Sequence, residues 1–430
     1  MSDPRRAVPR TDRVLAEPML AEAAAVLGTP VVKQAVHAAQ ERVRRGELAP
    51  DTVVAAVVES LPTSATSLRR VVNATGVVVH TNLGRAPLSA AAVQALRVAA
   101  GTTDVELDLE TGLRGRRGAG ALAALLSAVP EAQDAHLVNN GAAALALLAA
   151  AYAGREVVVA RGELVEIGDG FRIPELLSAA GVVVREVGTT NRVRVDDYAA
   201  AVTDGTAFVL KVHPSNFVVS GFTSSVPVHE LAELTVPVVT DIGSGLLAPH
   251  PRLPDEPDAA TMLRQGAGLV TASGDKLLGG PQCGLLLGRA DLVGRLRRHP
   301  MARAVRVDKL TLAALEATLR GPTPPVTRAL ATDIADLHRR AGTVARQLAD
   351  LGIDARAVPS VAAVGGGGAP GVSLESAAVS LPPALTEPLR HGDPPVVGRV
   401  EHERLLLDLA AVAPSEDDTL VRAVLSASTE

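Results

Sequence analysis

The sequence predicts an α/β protein: a mostly parallel central sheet, preceded by a helical module and followed by a smaller α+β domain. Two observations carry this. From residue 71 to about 320, short β-branched runs alternate with alanine- and leucine-rich stretches, as in βα units around a parallel sheet buried on both faces. After Pro322, Pro324 and Pro325 the composition shifts, which sets boundaries of 1–70, 71–324 and 325–430.

In the first segment Leu15, Met19, Leu20, Ala23, Val26 and Leu27 recur at helical spacing, as do Val53, Val54, Val57, Val58 and Leu61. This module carries 10 basic and 8 acidic residues on a chain of net charge -5. The excess is a faint signal for an anionic partner; on charge alone a solvated helical face is the favoured reading. In the second segment strands are expected at 156–160, 182–187, 207–212, 236–242, 269–272 and 284–287. In the third, a helix is expected from Val326 to about Leu351, the tract Gly365–Gly368 reads as a mobile surface loop, and 396–409 as strand, turn, strand.

Composition excludes several classes. The 430 residues are 47% hydrophobic and 21% charged, enough for a large core. Six aromatic rings in all, with no Trp, argue against base-stacking platforms and against a membrane protein with aromatic belts. Cys283 is the only cysteine, so no disulfide framework or Cys-based zinc site is expected. No apolar stretch follows the N-terminal arginines, and the run Gly141–Gly154 is too short to span a bilayer, so a cytoplasmic enzyme is the expectation.

Lysine is scarce: Lys33, Lys211, Lys276 and Lys309 stand against 38 arginines. Lys276 lies in Ser273-Gly274-Asp275-Lys276-Leu277-Leu278-Gly279-Gly280-Pro281-Gln282, directly after an apolar run. A lysine among close-packed glycines suits a Schiff base, because burial frees its amine; a lysine bonded to a loop is the other reading. Asp241 precedes it by 35 residues in Asp241-Ile242-Gly243-Ser244-Gly245, at the carboxyl end of an expected strand. There it is a helix cap, a metal ligand, or the acid that keeps a pyridine nitrogen protonated. The pairing with Lys276 favours the last, and with it pyridoxal phosphate. Asn140, Gly141 and Ala142 open an Ala/Leu helix whose first N–H groups suit the cofactor phosphate, to which Ser273 adds a hydroxyl. Helix start, then Asp, then Lys is the order of the aminotransferase-like fold type I. Arg297, Arg298, Arg303, Arg306 and Lys309 crowd into 13 residues with only Asp308 opposed. They suit a phosphate-like oxyanion or an RNA backbone, or form an exposed helix face.

These segments together resemble the bacterial L-seryl-tRNA(Sec) selenium transferases, or selenocysteine synthases. The carriers are Asn73–Gly76 with His80–Arg85, Leu164–Gly168 with Phe171–Pro174, Gly188–Arg192, His213–Phe217, Asp241–Gly245, Ser273–Gln282, Arg303–Lys309 and Pro394–Arg399. The resemblance implies pyridoxal phosphate on Lys276 and a ring-shaped homodecamer built from dimers. It also implies that the N-terminal module contacts the selenocysteine tRNA, charged with serine. The implied reaction converts seryl-tRNA(Sec) to selenocysteinyl-tRNA(Sec) through an aminoacrylyl intermediate, with selenophosphate as donor. Arg85, Arg303 and Arg306 would bind the donor, Asp275 would assist, and Thr189, Thr190 and Asn216 match substrate-site positions. The family pattern has a further Asn where Gly141 stands, Ala where Cys283 stands and Trp near Ala377. Cys283 reads as a buried small hydrophobe, and the residue stacking on the cofactor ring is expected between Glu163 and Phe171. Two rivals stand beside this reading: a pyridoxal phosphate lyase acting on a free amino acid or amino sugar, and a non-enzymatic RNA-binding protein.

Overall fold

In the computed structural model, which describes residues 8–62, 64–168 and 170–429, the chain divides into two compact units, Met1–Arg70 and Val71–Glu430. Of the stretches singled out above, Met1–Ala7, Thr63, Asp169 and Glu430 lie outside the described residues.

The first unit is helical: α1 (Thr11–Leu15), α2 (Pro18–Leu27), α3 (Thr29–Arg44) and α4 (Val53–Ser60). The periodic apolar residues meet inside it, with Val14, Leu20, Val32, Val36, Val43, Val53 and Val57 buried together. Met19 and Val26, counted on the same apolar pattern, face outward. Gln40, inside α3, holds the segment before α1, donating from Nε2 to the Pro9 carbonyl at 2.8 Å.

The second unit contains, in chain order, β1 (Val72–Asn73), β2 (Val77–Val79), β3 (Asp134–Val138), β4 (Glu156–Ala160), β5 (Glu166–Ile167), β6 (Phe171–Arg172), β7 (Val183–Val187), β8 (Thr206–Val212), β9 (Val238–Gly243), β10 (Leu269–Ser273), β11 (Gly284–Gly288), β12 (Arg356–Gly365), β13 (Ser373–Leu381), β14 (Val396–Val397), β15 (Arg399–Glu401) and β16 (Arg404–Asp408). Seven form the main sheet in the order β3-β11-β10-β9-β8-β4-β7. Only β11 runs against its neighbours. Successive residues of its strands enter opposite cores: Val158, Val209 and Val270 on one face, Val157, Val159, Phe208 and Leu210 on the other. Burial on both faces is why these strands read as unbroken apolar runs rather than alternating ones. Each fully buried Val or Leu adds roughly 1.5–3 kcal/mol, offset by the entropy of ordering it.

A second sheet has the order β15-β16-β13-β12-β2 and packs against helices Ile334–Asp350 and Asp417–Thr429 through Leu337, Val344, Leu348, Leu420 and Val424. Residues next to the domain start are sewn into it. Val72 and Asn73 pair with Val396 and Val397, and Arg399 donates to the Thr75 carbonyl at 2.7 Å and to buried Asp408 at 3.1 Å. Asp408 also accepts from Ser360 and Ser376, each at 2.6 Å. The paired motif segments 73–76 and 394–399 therefore meet in a hydrogen-bonded strut.

Two sequence expectations are corrected. The helix expected from Val326 to Leu351 is two helices, Pro325–Ala331 and Ile334–Asp350. Thr332 is extended, and Asp333 caps the second helix by accepting from the Ala335 amide at 2.9 Å. The tract Gly365–Gly368 is not a surface loop. Its first residue ends β12, Gly368 is buried, and the tract packs against Val79, Leu277 and Lys276. Among the described residues no helix is long and apolar enough to cross a membrane.

Candidate active site

Parallel strands deliver their carboxyl ends to one rim of the main sheet, and there the chain turns into the segments singled out in the sequence. Asp241, near the end of β9, is buried, and its Oδ1 accepts from the Thr271 hydroxyl at 2.8 Å. Thr271 sits opposite Asp241 in the β9–β10 register, so the pairing follows from strand alignment. Burial pushes the Asp241 carboxyl up; the Thr271 hydroxyl, the Lys276 amine and the Gly243 amide pull it back. The turn after β9 must pass close beneath the next strand: a Cβ on Gly245, whose φ is +80°, would lie 2.0 Å from the Ser273 carbonyl oxygen.

Lys276 stands on the loop after β10. Its Nζ donates to the Gly367 carbonyl at 3.5 Å, the long limit of a hydrogen bond. Burial pulls the amine's proton affinity down, opposed by Asp241 and Asp275 and reinforced by Arg85. Gly367 sits at φ +81°, the left-handed region that favours glycine, and a Cβ there would lie 2.9 Å from Nζ. Composition alone missed this residue, because a glycine run reads alike whether it is loose or closely packed.

Asp275 is buried and its Oδ2 accepts from Arg85 Nη1 at 2.7 Å and from Gln282 Nε2 at 3.4 Å. The backbone adds a contact, Ala86 N–H to the Asp275 carbonyl at 3.2 Å. Arg85 itself is held at φ +64°, a left-handed turn uncommon outside glycine. Asn140 caps helix Gly141–Ala151, accepting from the Ala143 amide at 2.7 Å. A Cβ on Gly141 would lie 2.8 Å from Ser273 Oγ, so the helix start and the end of β10 are side by side. Cys283 is buried, and burial pushes its thiol up to about 12, the behaviour of a packed apolar residue.

Lys276, Asp275, Arg85 and Asp241 thus come together, as do Asn140, Gly141 and Ser273. Thr189 and Thr190 line a cavity of about 400 Å³ with Glu163, Lys211 and His213. There Glu163 pairs with Lys211 and accepts from the Val212 amide at 3.0 Å, so its carboxylate is committed to β8. Asn216 donates to the Glu166 carbonyl at 3.2 Å. Arg303 and Arg306 line a cavity of about 570 Å³ with Arg114, Arg116, Arg117 and Arg297. Among the described residues no hydrogen bond or ion pair joins either of them to Lys276, Asp275 or Arg85, and Arg306 approaches Glu106 at 3.9 Å instead. Arg306 reaches this place because it bridges Val138, at the end of β3.

The residues fit pyridoxal phosphate: an amine of lowered proton affinity for its aldehyde, a buried carboxylate for its ring nitrogen, and a capped helix start beside a serine for its phosphate. Comparison with known proteins agrees. A family model described as L-seryl-tRNA selenium transferase matches residues 71–413, and one described as selenocysteine synthase N terminal matches residues 5–44. The L-seryl-tRNA(Sec) selenium transferase of Moorella thermoacetica is 46% identical over 84% of this chain and 82% of its own. That of Hyphomonas neptunium is 40% identical over 97% of both. Among solved structures, a D-glucosaminate-6-phosphate ammonia-lyase aligns over 84% of this chain and 96% of its own, with a TM-score of 0.59 at 18% identity, a likeness of fold alone. The chain belongs to the L-seryl-tRNA selenium transferase family.

Proposed function

We propose that this protein converts seryl-tRNA(Sec) to selenocysteinyl-tRNA(Sec), with pyridoxal phosphate on Lys276 and selenophosphate as the selenium donor. Relatives bearing that activity in their names, at 40% and 46% identity over most of the chain, support the reaction. The observation that carries it among the residues is Lys276 between Asp241, Asp275 and the Gly367 carbonyl.

When bound, pyridoxal phosphate supplies an electron sink for the charge that develops at the substrate α-carbon. Asp241 holds the proton on the ring nitrogen, and Thr271 orients that carboxylate. Asn140, Gly141 and Ala142 present helix N–H groups to the phosphate, with Ser273 beside them. The Lys276 amine, which burial makes easier to deprotonate while Asp241 and Asp275 oppose that shift, takes the α-proton and returns it. Arg85, braced by Asp275, offers its guanidinium to the selenium donor, while Arg303 and Arg306 line a different cavity of the chain. Thr189, Thr190 and Asn216 contact the substrate.

We assign residues 1–70 to tRNA contact, 71–324 to the cofactor and 325–430 to a small supporting domain. With so few aromatic rings, the tRNA is held by shape and by arginine–phosphate contacts rather than by stacking on bases. The working assembly is a ring-shaped homodecamer built from dimers, in the cytoplasm. Incubation of the protein with seryl-tRNA(Sec), selenophosphate and pyridoxal phosphate should yield selenocysteinyl-tRNA(Sec). Ready reaction of free serine, with none of the charged tRNA, would overturn the assignment.

A further inference from the structure

Glu256 lies outside every motif described above, in the polar stretch Pro254-Asp255-Glu256-Pro257. Its side chain is only 1% exposed. One oxygen, Oε2, has two contacts: His213 Nε2 at 3.2 Å and the Ala369 amide, which donates at 2.6 Å. These partners come from opposite sides of the site. His213 follows β8, and its own amide donates to the Asp241 carbonyl at 2.9 Å. Ala369 follows the glycine tract whose Gly367 carbonyl receives the Lys276 amine.

The tract needs such a tether. Gly365, Gly366, Gly367 and Ala369 all have positive φ, and at +48° Ala369 is in a left-handed conformation that is strained for a residue with a Cβ. A backbone of this kind persists where its surroundings determine it, and the Glu256 contact is a direct constraint on Ala369. Carboxylate acceptors make the shorter, stronger kind of hydrogen bond, in keeping with the 2.6 Å separation. The carboxylate also lies near enough to Lys276 for its charge to favour the protonated amine.

We propose that Glu256 is a positioning residue of the active site: its carboxylate clamps the Ala369 amide and the His213 ring, and so holds the Gly367 carbonyl against the Lys276 amine. Glu256 touches neither substrate nor the reacting atoms. It sets the resting place of the amine while that amine is not bonded to the cofactor. This inference rests on Lys276 being the cofactor lysine.

The test measures how fast the cofactor-free chain binds pyridoxal phosphate through Lys276, followed by the visible absorbance of that bond, together with hydrogen exchange at residues 365–371. Glu256→Ala should slow bond formation roughly 10-fold to 10²-fold and speed exchange across the tract, by analogy with the cost of small misplacements. Glu256→Gln retains an oxygen that can accept from Ala369 and should recover most of the rate. Unchanged rate and exchange in Glu256→Ala would overturn the proposal, as would a Gln variant as slow as the Ala variant. Should Glu256→Ala fail to fold, exchange in the unaltered protein decides: the Ala369 amide should be strongly protected, and exchange at the rate of an open loop would overturn the clamp. Absence of the absorbance in the unaltered protein would instead defeat the assignment of Lys276.

Discussion

Arg85 Nη1 meets Asp275 Oδ2 at 2.7 Å, across 190 residues of chain, next to the one lysine placed among glycines. The carboxylate is buried while the guanidinium is 39% exposed, so Arg85 is braced from behind with donors left facing outward. Arg85→Lys keeps the charge and loses the planar fork. It should raise the KM for selenophosphate about tenfold, equivalent to about 1.4 kcal/mol. Thermal stability should fall by no more than about 1 kcal/mol, because a partly exposed pair is screened by solvent. An unchanged KM in steady-state kinetics would remove Arg85 from the donor site.

Lys276→Ala should abolish both turnover and the visible absorbance of bound pyridoxal phosphate, read by a spectrum of the cofactor-soaked protein. Retained absorbance would show that another group carries the cofactor.

Asp241→Asn keeps an oxygen for the Thr271 hydroxyl and removes the negative charge from the end of β9. Turnover should drop about 10²-fold, the scale of losing one preorganised electrostatic group. Because the carboxylate is buried, removal of its charge should leave the melting temperature unchanged or raised. A fully active variant would mean that the ring nitrogen needs no acidic partner here.

Asn140→Ala removes the cap of helix Gly141–Ala151. The expected cost is about 1 kcal/mol in chemical denaturation, with weaker retention of pyridoxal phosphate during dialysis. Equal retention by variant and unaltered protein would separate the helix start from the phosphate.

His136 reports on the arginine-lined cavity. Burial, with Arg297 and Arg116 adding to it, pulls its imidazole down to about 4 from 6.5. Between those values the unfolded chain binds a proton that the folded chain refuses, so stability falls as pH drops from 6.5 toward 4. His136→Gln should flatten that part of the pH–stability curve by roughly 2–3 kcal/mol. Parallel curves for the two proteins would contradict it.

Much of this architecture is written locally. The runs at 156–160, 269–272 and 284–287 read as strands because residues buried on both faces of a parallel sheet must all be apolar. Lys276 was visible because a lysine is conspicuous among glycines in a chain so rich in arginine. Asp333, which splits the expected long helix, was a cap in plain view, overridden by the periodicity on either side of it.

Long-range neighbours were not written there. Four glycines at 365–368 have the same composition whether they wave in solvent or press on a lysine, and only the packing of β12 beside β2 put Gly367 against Lys276. Thr271 became the partner of Asp241 through strand register. Arg303 and Arg306, close to Arg85 in expected role, entered a different cavity because the segment after helix Met301–Ala304 runs beside β3. Residue types and local spacing dictate which chemistry a segment can support, since helices and strands form from short-range periodicity and caps. Which segments meet is decided by sheet order and register, a property of contacts between residues far apart in the chain.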